Sequence, residues 1–185
     1  MSNIYGAPNG IERRAYRTTN ATLANIPALV AQQTITGKQG DPLKQTCTRE
    51  YLLQILDGQI ELALENTYPM CIILAEFKNS DGTAVESEAV LHAVAQQFCL
   101  HLRPTDIIVR FRNKTIAMIL RECADSGARQ ASQRLSACIA DGIRVDAEKI
   151  SIKPLFGYSA QITRDTDRAN KLLTGAEHSL KALVG

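Results

Sequence analysis

Asp106-Ile-Ile-Val-Arg-Phe-Arg-Asn-Lys-Thr-Ile-Ala-Met-Ile-Leu-Arg121 is the stretch on which the fold turns. Two strand-like apolar runs, 106–111 and 115–120, flank Arg112-Asn113-Lys114. That pattern predicts a β-hairpin, with Asn113 available for a positive φ. Upstream, Val90, Leu91, Val94, Phe98 and Leu102 recur at helical spacing and predict an amphipathic helix over about Val85 to Leu102. Before it, Lys78-Asn-Ser-Asp-Gly82 is turn chemistry, and Cys71-Ile-Ile-Leu-Ala75 is a short apolar run suited to a buried strand. Leu52, Leu53, Leu56, Ile60 and Leu64 predict a helix from Thr48 to Glu65, with Thr48 as N-cap. Downstream, a helix is expected from Asp125 to Ala140, then a strand at Ile150 to Pro154 with a continuation near Phe156 to Ile162. A last helix is expected over about Asp167 to Leu183. This order describes an α/β (α+β) domain, a central mixed sheet of about five strands covered by helices.

The composition agrees with one globular domain. The chain has 185 residues, 45% of them hydrophobic, and its 22% of charged residues are too few for a disordered protein. Twenty-one Lys and Arg against nineteen Asp and Glu leave a formal charge of +2, which argues against nonspecific nucleic-acid binding. The apolar stretches, such as Met70 to Ala75, are too short to cross a bilayer, and MSNIYGAPNG has no basic segment followed by an apolar core. A cytoplasmic location is the simplest expectation. Charge is unevenly placed: residues 1–40 carry Arg13, Arg14, Arg17 and Lys38 against Glu12, a net of +3, so 41–185 sums to −1. With Pro8, Gly10, Pro27, Gly37 and Gly40, residues 1–40 read as a basic arm, holding a short helix over Asn20 to Gln33 that Pro27 kinks or shortens. Cys47, Cys71, Cys99, Cys123 and Cys138 are odd in number and lack a CxxC pair, so they read as mostly buried reduced thiols rather than disulfides or zinc ligands.

Several separated motifs resemble one family. Asp41-Pro-Leu43 with Arg49, Phe77-Lys78, Arg103-Pro-Thr-Asp106, Arg110-Phe111, Gly157, and the closing Leu172-Leu173, Ala176-Glu177 and Leu180 occur in the order and spacing of a GGDEF domain. That is the diguanylate cyclase fold, similar to the palm of adenylyl cyclases and polymerases, and the resemblance covers residues 41–183. It implies a domain at 41–185 preceded by the arm.

Where the family carries its signature, this chain reads Arg112-Asn113-Lys114-Thr115-Ile116. Side chains at 112 and 113 obstruct the backbone approach that paired glycines permit. Lys114 stands at an acidic metal-binding position of the family, and a charged lysine has no lone pair to offer Mg²⁺. The other metal carboxylate is replaced within Ile73-Leu-Ala75, Glu76 is one residue out of register, and Glu88 stands in for a later acid of the family. Cyclase activity is therefore not expected, and neither a metal nor another cofactor is. What the resemblance retains is the family's RxxD product site: five residues separate Asp106 from Arg112, and ungapped counting places a third family ligand at Arg134. Arginine presents a planar fork to guanine O6 and N7, and aspartate accepts from the N1–H and N2–H₂ edge. The expectation is thus a non-catalytic receptor for cyclic di-GMP in bacterial second-messenger signalling, with Arg103, Asp106 and Arg134 as ligands and a ligand-bridged homodimer. The alternative is a nucleotide-independent interaction scaffold for a signalling protein. A third reading places a phosphate-bearing nucleotide such as GTP on Arg112 and Lys114.

Overall fold

The computed structural model describes residues 46–160, 162 and 164–184. The arm at 1–40 and its expected helix lie outside the described residues. The central hairpin forms from β3 (Ile107–Phe111) and β4 (Thr115–Arg121), paired in register from Ile107 with Ile119 to Phe111 with Thr115. Two further strands extend it: β2 (Met70–Asn79) runs antiparallel to β4, and β7 (Ile152–Ser159) antiparallel to β2. A short β1 (Thr46–Cys47) lies parallel to β3, giving a five-stranded mixed sheet of order β1-β3-β4-β2-β7.

Alternation along the buried strands divides the core into two layers. Cys71, Ile73, Ala75 and Phe77 of β2, with Ile108, Ile116 and Met118, face α2 (Glu88–Cys99) and α3 (Asp125–Cys138) through Leu91, Val94, Phe98, Ala131 and Leu135. Met70, Ile72 and Leu74, with Val109, Phe111, Ala117 and Ile119, face α1 (Arg49–Glu65) and α4 (Arg168–Val184) through Leu52, Leu56, Ile60, Leu173 and Ala176. Covering both faces explains why β2 reads as an unbroken apolar run. Thr48 caps α1 as expected, its Oγ1 accepting from the Tyr51 N–H at 3.3 Å. Ser87 caps α2 in the same way, which shortens that helix to Glu88–Cys99. Val85 lies before the helix, its N–H bonded to the Phe77 carbonyl at 2.9 Å.

The structure corrects three other expectations. Between the pieces expected at 150–154 and 156–162 there is no break: one strand, β7 (Ile152–Ser159), runs through Pro154 because it lies at a sheet edge, where a missing N–H is tolerated. A second hairpin, β5 (Ile143–Val145) with β6 (Glu148–Ile150), was not predicted, because its three-residue strands hold Arg144, Glu148 and Lys149 rather than an apolar run. At the tip of the central hairpin, the left-handed residue is Arg112 (φ 57°), not Asn113. With Phe111 opposite Thr115, the loop has three residues, and its first takes the left-handed conformation.

Candidate functional site

The two ends of the central hairpin hold different chemistry. At the tip, a cleft of about 660 Å³ is lined by Thr46–Arg49, Glu76, Glu86 and Arg112–Thr115. Most of its charges already have partners. Arg49 Nη1 and Arg112 Nη2 both donate to Glu177 Oε1 at 2.7 Å, and Arg49 Nη2 reaches Asn170 Oδ1 at 2.9 Å. Thr115 Oγ1 donates to Glu76 Oε1 at 3.0 Å. Arg110, with its side chain wholly buried, makes a two-pronged bond to Glu88 at 2.6 and 2.9 Å and donates to the Asn113 carbonyl at 3.1 Å. Glu88 is thereby held below the ordinary glutamate pKa, chiefly by the Arg110 hydrogen bonds. Arg112 also stacks over the Phe111 ring, 4.7 Å from its centroid.

At the foot of the hairpin, about 17 Å away at 3.3 Å per residue, lies Asp106. The chain from Arg103 to Asp106 closes on itself: the Asp106 N–H donates to the Arg103 carbonyl at 3.0 Å, and the Arg103 N–H donates to Asp106 Oδ2 at 2.9 Å. The pair therefore interacts through Arg103's backbone, which leaves its guanidinium exposed and without a hydrogen-bond partner among the described residues. Asp106 is only 9% exposed, and its buried Oδ1 receives no hydrogen bond. Burial raises its pKa above the ordinary carboxylate value, opposed by the Arg103 and Arg121 backbone N–H groups and by the charges of Arg103 and Arg134. Arg134, on the exposed face of α3, thus acts on the same carboxylate through its charge, from a third element. The foot holds a fixed acceptor within the electrostatic reach of two exposed arginines, a combination suited to a ligand edge bearing both donors and acceptors.

Residues 39–183 match the family model described as diguanylate cyclase, GGDEF domain. The chain belongs to the GGDEF family. Among solved structures, the GGDEF domain is similar to a sensory box/GGDEF family protein from Caulobacter crescentus (16% identity, TM-score 0.63, covering 78% of this chain and 97% of that one). It is also similar to the FimX GGDEF domain from Pseudomonas aeruginosa (14%, 0.64, 80% and 94%). A third neighbour is the DgcB GGDEF domain from Caulobacter crescentus, solved in complex with c-di-GMP (15%, 0.62, 78% and 88%). Curated proteins offer no significant match. No helix among the described residues is long and apolar enough to cross a membrane.

Within this GGDEF domain, Arg103, Asp106 and Arg134 come together, whereas Arg112 to Ile116 lie at the far end of the hairpin. Arg112 is already paired with Glu177, leaving Lys114 as the exposed cation of the tip loop without a bonded partner among the described residues. Sequence reasoning missed the Arg110–Glu88 pair, which joins a strand to a helix start 22 residues away. It also missed the contact between two of the cysteines: Cys71 and Cys123, 52 residues apart in sequence, place their sulfurs 3.3 Å from each other, and both feel the Asp106 charge. Of the five cysteines only Cys71 is fully buried, fewer than the mostly buried set expected; the other four are half-buried.

Proposed function

We propose that this GGDEF domain is a non-catalytic receptor for cyclic di-GMP, bound at Arg103, Asp106 and Arg134. The observation that carries the reading is the Asp106 carboxylate. It is held by Arg103's backbone, is buried with Oδ1 unpaired, and feels the charges of two exposed arginines without side-chain partners among the described residues. A buried acceptor without a donor is costly, and a guanine N1–H or N2–H₂ would satisfy it. Arg103 and Arg134 would take guanine O6 and N7, or a phosphate. The complex of the DgcB domain with c-di-GMP supports this ligand class for the fold.

Loss of catalysis is inferred from the tip. The residues present do not fit magnesium: Ile73, Leu74 and Ala75 are apolar and at most 1% exposed, and Lys114 is a cation. Glu76 and Glu88 are engaged by Thr115 and Arg110. Phosphoryl transfer needs a metal bridging phosphate oxygens. Calorimetric titration of cyclic di-GMP into the protein tests the reading. Arg103→Ala removes a charged hydrogen-bond donor worth about 2 kcal/mol, about thirtyfold in Kd. Absence of heat, or an unchanged Kd in the variant, refutes it.

The second reading, a scaffold indifferent to nucleotide, is favoured by the similar diguanylate cyclase SiaD from Pseudomonas aeruginosa, solved with its activator SiaC (19% identity, TM-score 0.58, covering 91% of this chain and 68% of that one). A partner retained equally with and without cyclic di-GMP would support it.

A further inference from the structure

We propose that Cys71 and Cys123 form a hydroperoxide-oxidisable dithiol at the wall of the Asp106 site, closing to a disulfide that weakens ligand binding there. The geometry comes from the sheet. Cys71 is the second residue of β2, opposite Leu120, and Cys123 lies two residues past the end of β4, its N–H bonded to the Pro69 carbonyl at 3.0 Å. The same ladder therefore pins both backbones. Their sulfurs are 3.3 Å apart, so bonding at about 2.05 Å requires an approach of about 1.3 Å. Gly127, in the first turn of α3, leaves the room that Cys123 occupies: a Cβ there would stand 2.9 Å from the Cys123 sulfur.

The two sulfurs have different roles. Cys71 is 0% exposed, whereas Cys123 is half-buried, so an oxidant from solvent meets Cys123 first. Cys71 donates its S–H to Cys123, which lowers the Cys123 pKa and raises that of Cys71. The charges of Arg103 and Arg134 lower Cys123 further, against burial and Asp106. Cys123 is accordingly the nucleophile and Cys71 the resolving thiol. The Cys123 thiolate attacks an oxygen of the hydroperoxide, the O–O bond breaks, and the departing alkoxide takes a proton to leave as alcohol or water. Cys123 is then a sulfenic acid. The Cys71 sulfur attacks the Cys123 sulfur while its proton passes to the sulfenic hydroxyl, and the S–O bond breaks with release of water. Two electrons pass from the two thiols to the peroxide.

Cys123 adjoins Ala124, the N-cap of the helix that carries Arg134. Drawing it toward β2 shifts that arginine against Asp106, and cyclic di-GMP affinity falls about tenfold. This last consequence rests on the reading of Arg103, Asp106 and Arg134 as ligands.

The test treats the reduced protein with hydrogen peroxide, maps cross-linked peptides by mass spectrometry, and titrates cyclic di-GMP into both forms. A Cys71–Cys123 cross-link is expected, with Cys99→Ser unaffected and Cys71→Ser leaving a Cys123 sulfenic acid that dimedone traps. Direct overoxidation of Cys123 in the wild-type protein, or cross-links among other cysteines instead, would overturn the dithiol. Equal affinities of the two forms would overturn the coupling. A cross-link in a protein that binds no cyclic di-GMP even when reduced would instead overturn the ligand reading and leave the dithiol standing.

Discussion

Replacing Gly157 by alanine should destabilise the domain through a single contact. Gly157 lies in β7 directly beneath α4, and a Cβ there would stand 2.2 Å from the Leu180 nitrogen, 2.5 Å from the Ala176 carbonyl oxygen and 2.5 Å from the Leu180 Cα. All three are backbone atoms, so no side chain can rotate away. Ordinary contact needs about 3.4 Å, and α4 must therefore lift by about 1 Å, which forfeits a quarter to a half of each dispersion contact beneath it. Ala169, Leu172, Leu173, Ala176 and Leu180 all bury against the sheet from this helix. Overpacking of this kind costs about 3 kcal/mol, offset by about 0.5 kcal/mol from the stiffer unfolded chain. The expected net is about 2.5 kcal/mol, a fall of about 5–10 °C in Tm. Gly58 is the internal control: it sits mid-helix in α1, and a methyl added there would have nothing within 4 Å, so Gly58→Ala should stabilise by about 0.5–1 kcal/mol. The chain has no tryptophan, so urea unfolding is best followed by far-ultraviolet circular dichroism. A Gly157→Ala midpoint at or above wild type would refute the packing argument.

Three further outcomes are expected. Glu88→Ala leaves the buried Arg110 guanidinium with the Asn113 carbonyl, its Nε already lacking a partner. The loss is about 1–2 kcal/mol in urea unfolding, below the 3–5 kcal/mol of a sealed pair because Glu88 is 69% exposed and water can replace it. That contribution is complete above the ordinary glutamate value of 4.5 and fades as pH falls through the depressed folded value, a slope that Glu88→Gln removes. Arg112→Gly should be more stable than Arg112→Ala by about 1 kcal/mol in the same assay, because both lose the Glu177 pair but alanine retains the left-handed φ. Asp106 must be ionised to accept from guanine, and its folded pKa is raised. Calorimetry across pH should therefore show cyclic di-GMP affinity falling while the pH is still above 3.8, and an unchanged affinity down to that value would contradict the site.

The fold was legible where side-chain periodicity is strong. The paired apolar runs around 112–114 and the helical spacing from Leu52 to Leu64 leave little choice of element, and Thr48 marks a helix start by its own oxygen. The β5–β6 hairpin was illegible because three-residue polar strands carry no period. Asn113 is a better residue than Arg112 for positive φ, yet the loop places that conformation at Arg112, so residue preference alone misplaces it. That Arg103 and Asp106 stand at the foot of the hairpin was legible from their distance to its tip. What it does locally was not: the aspartate takes Arg103's backbone rather than its guanidinium, and Arg134 joins it only because α3 packs across the foot of the sheet. The Cys71–Cys123 contact depends on the β2–β4 register, which no short spacing encodes.

The most direct test of the receptor reading is a crystal structure of the protein with cyclic di-GMP. A guanine edge donating to Asp106 Oδ1, with Arg103 and Arg134 on its opposite edge or on a phosphate, is the predicted result. A dinucleotide bound in the cleft at Arg112 to Thr115, with Asp106 Oδ1 left unpaired, would contradict it.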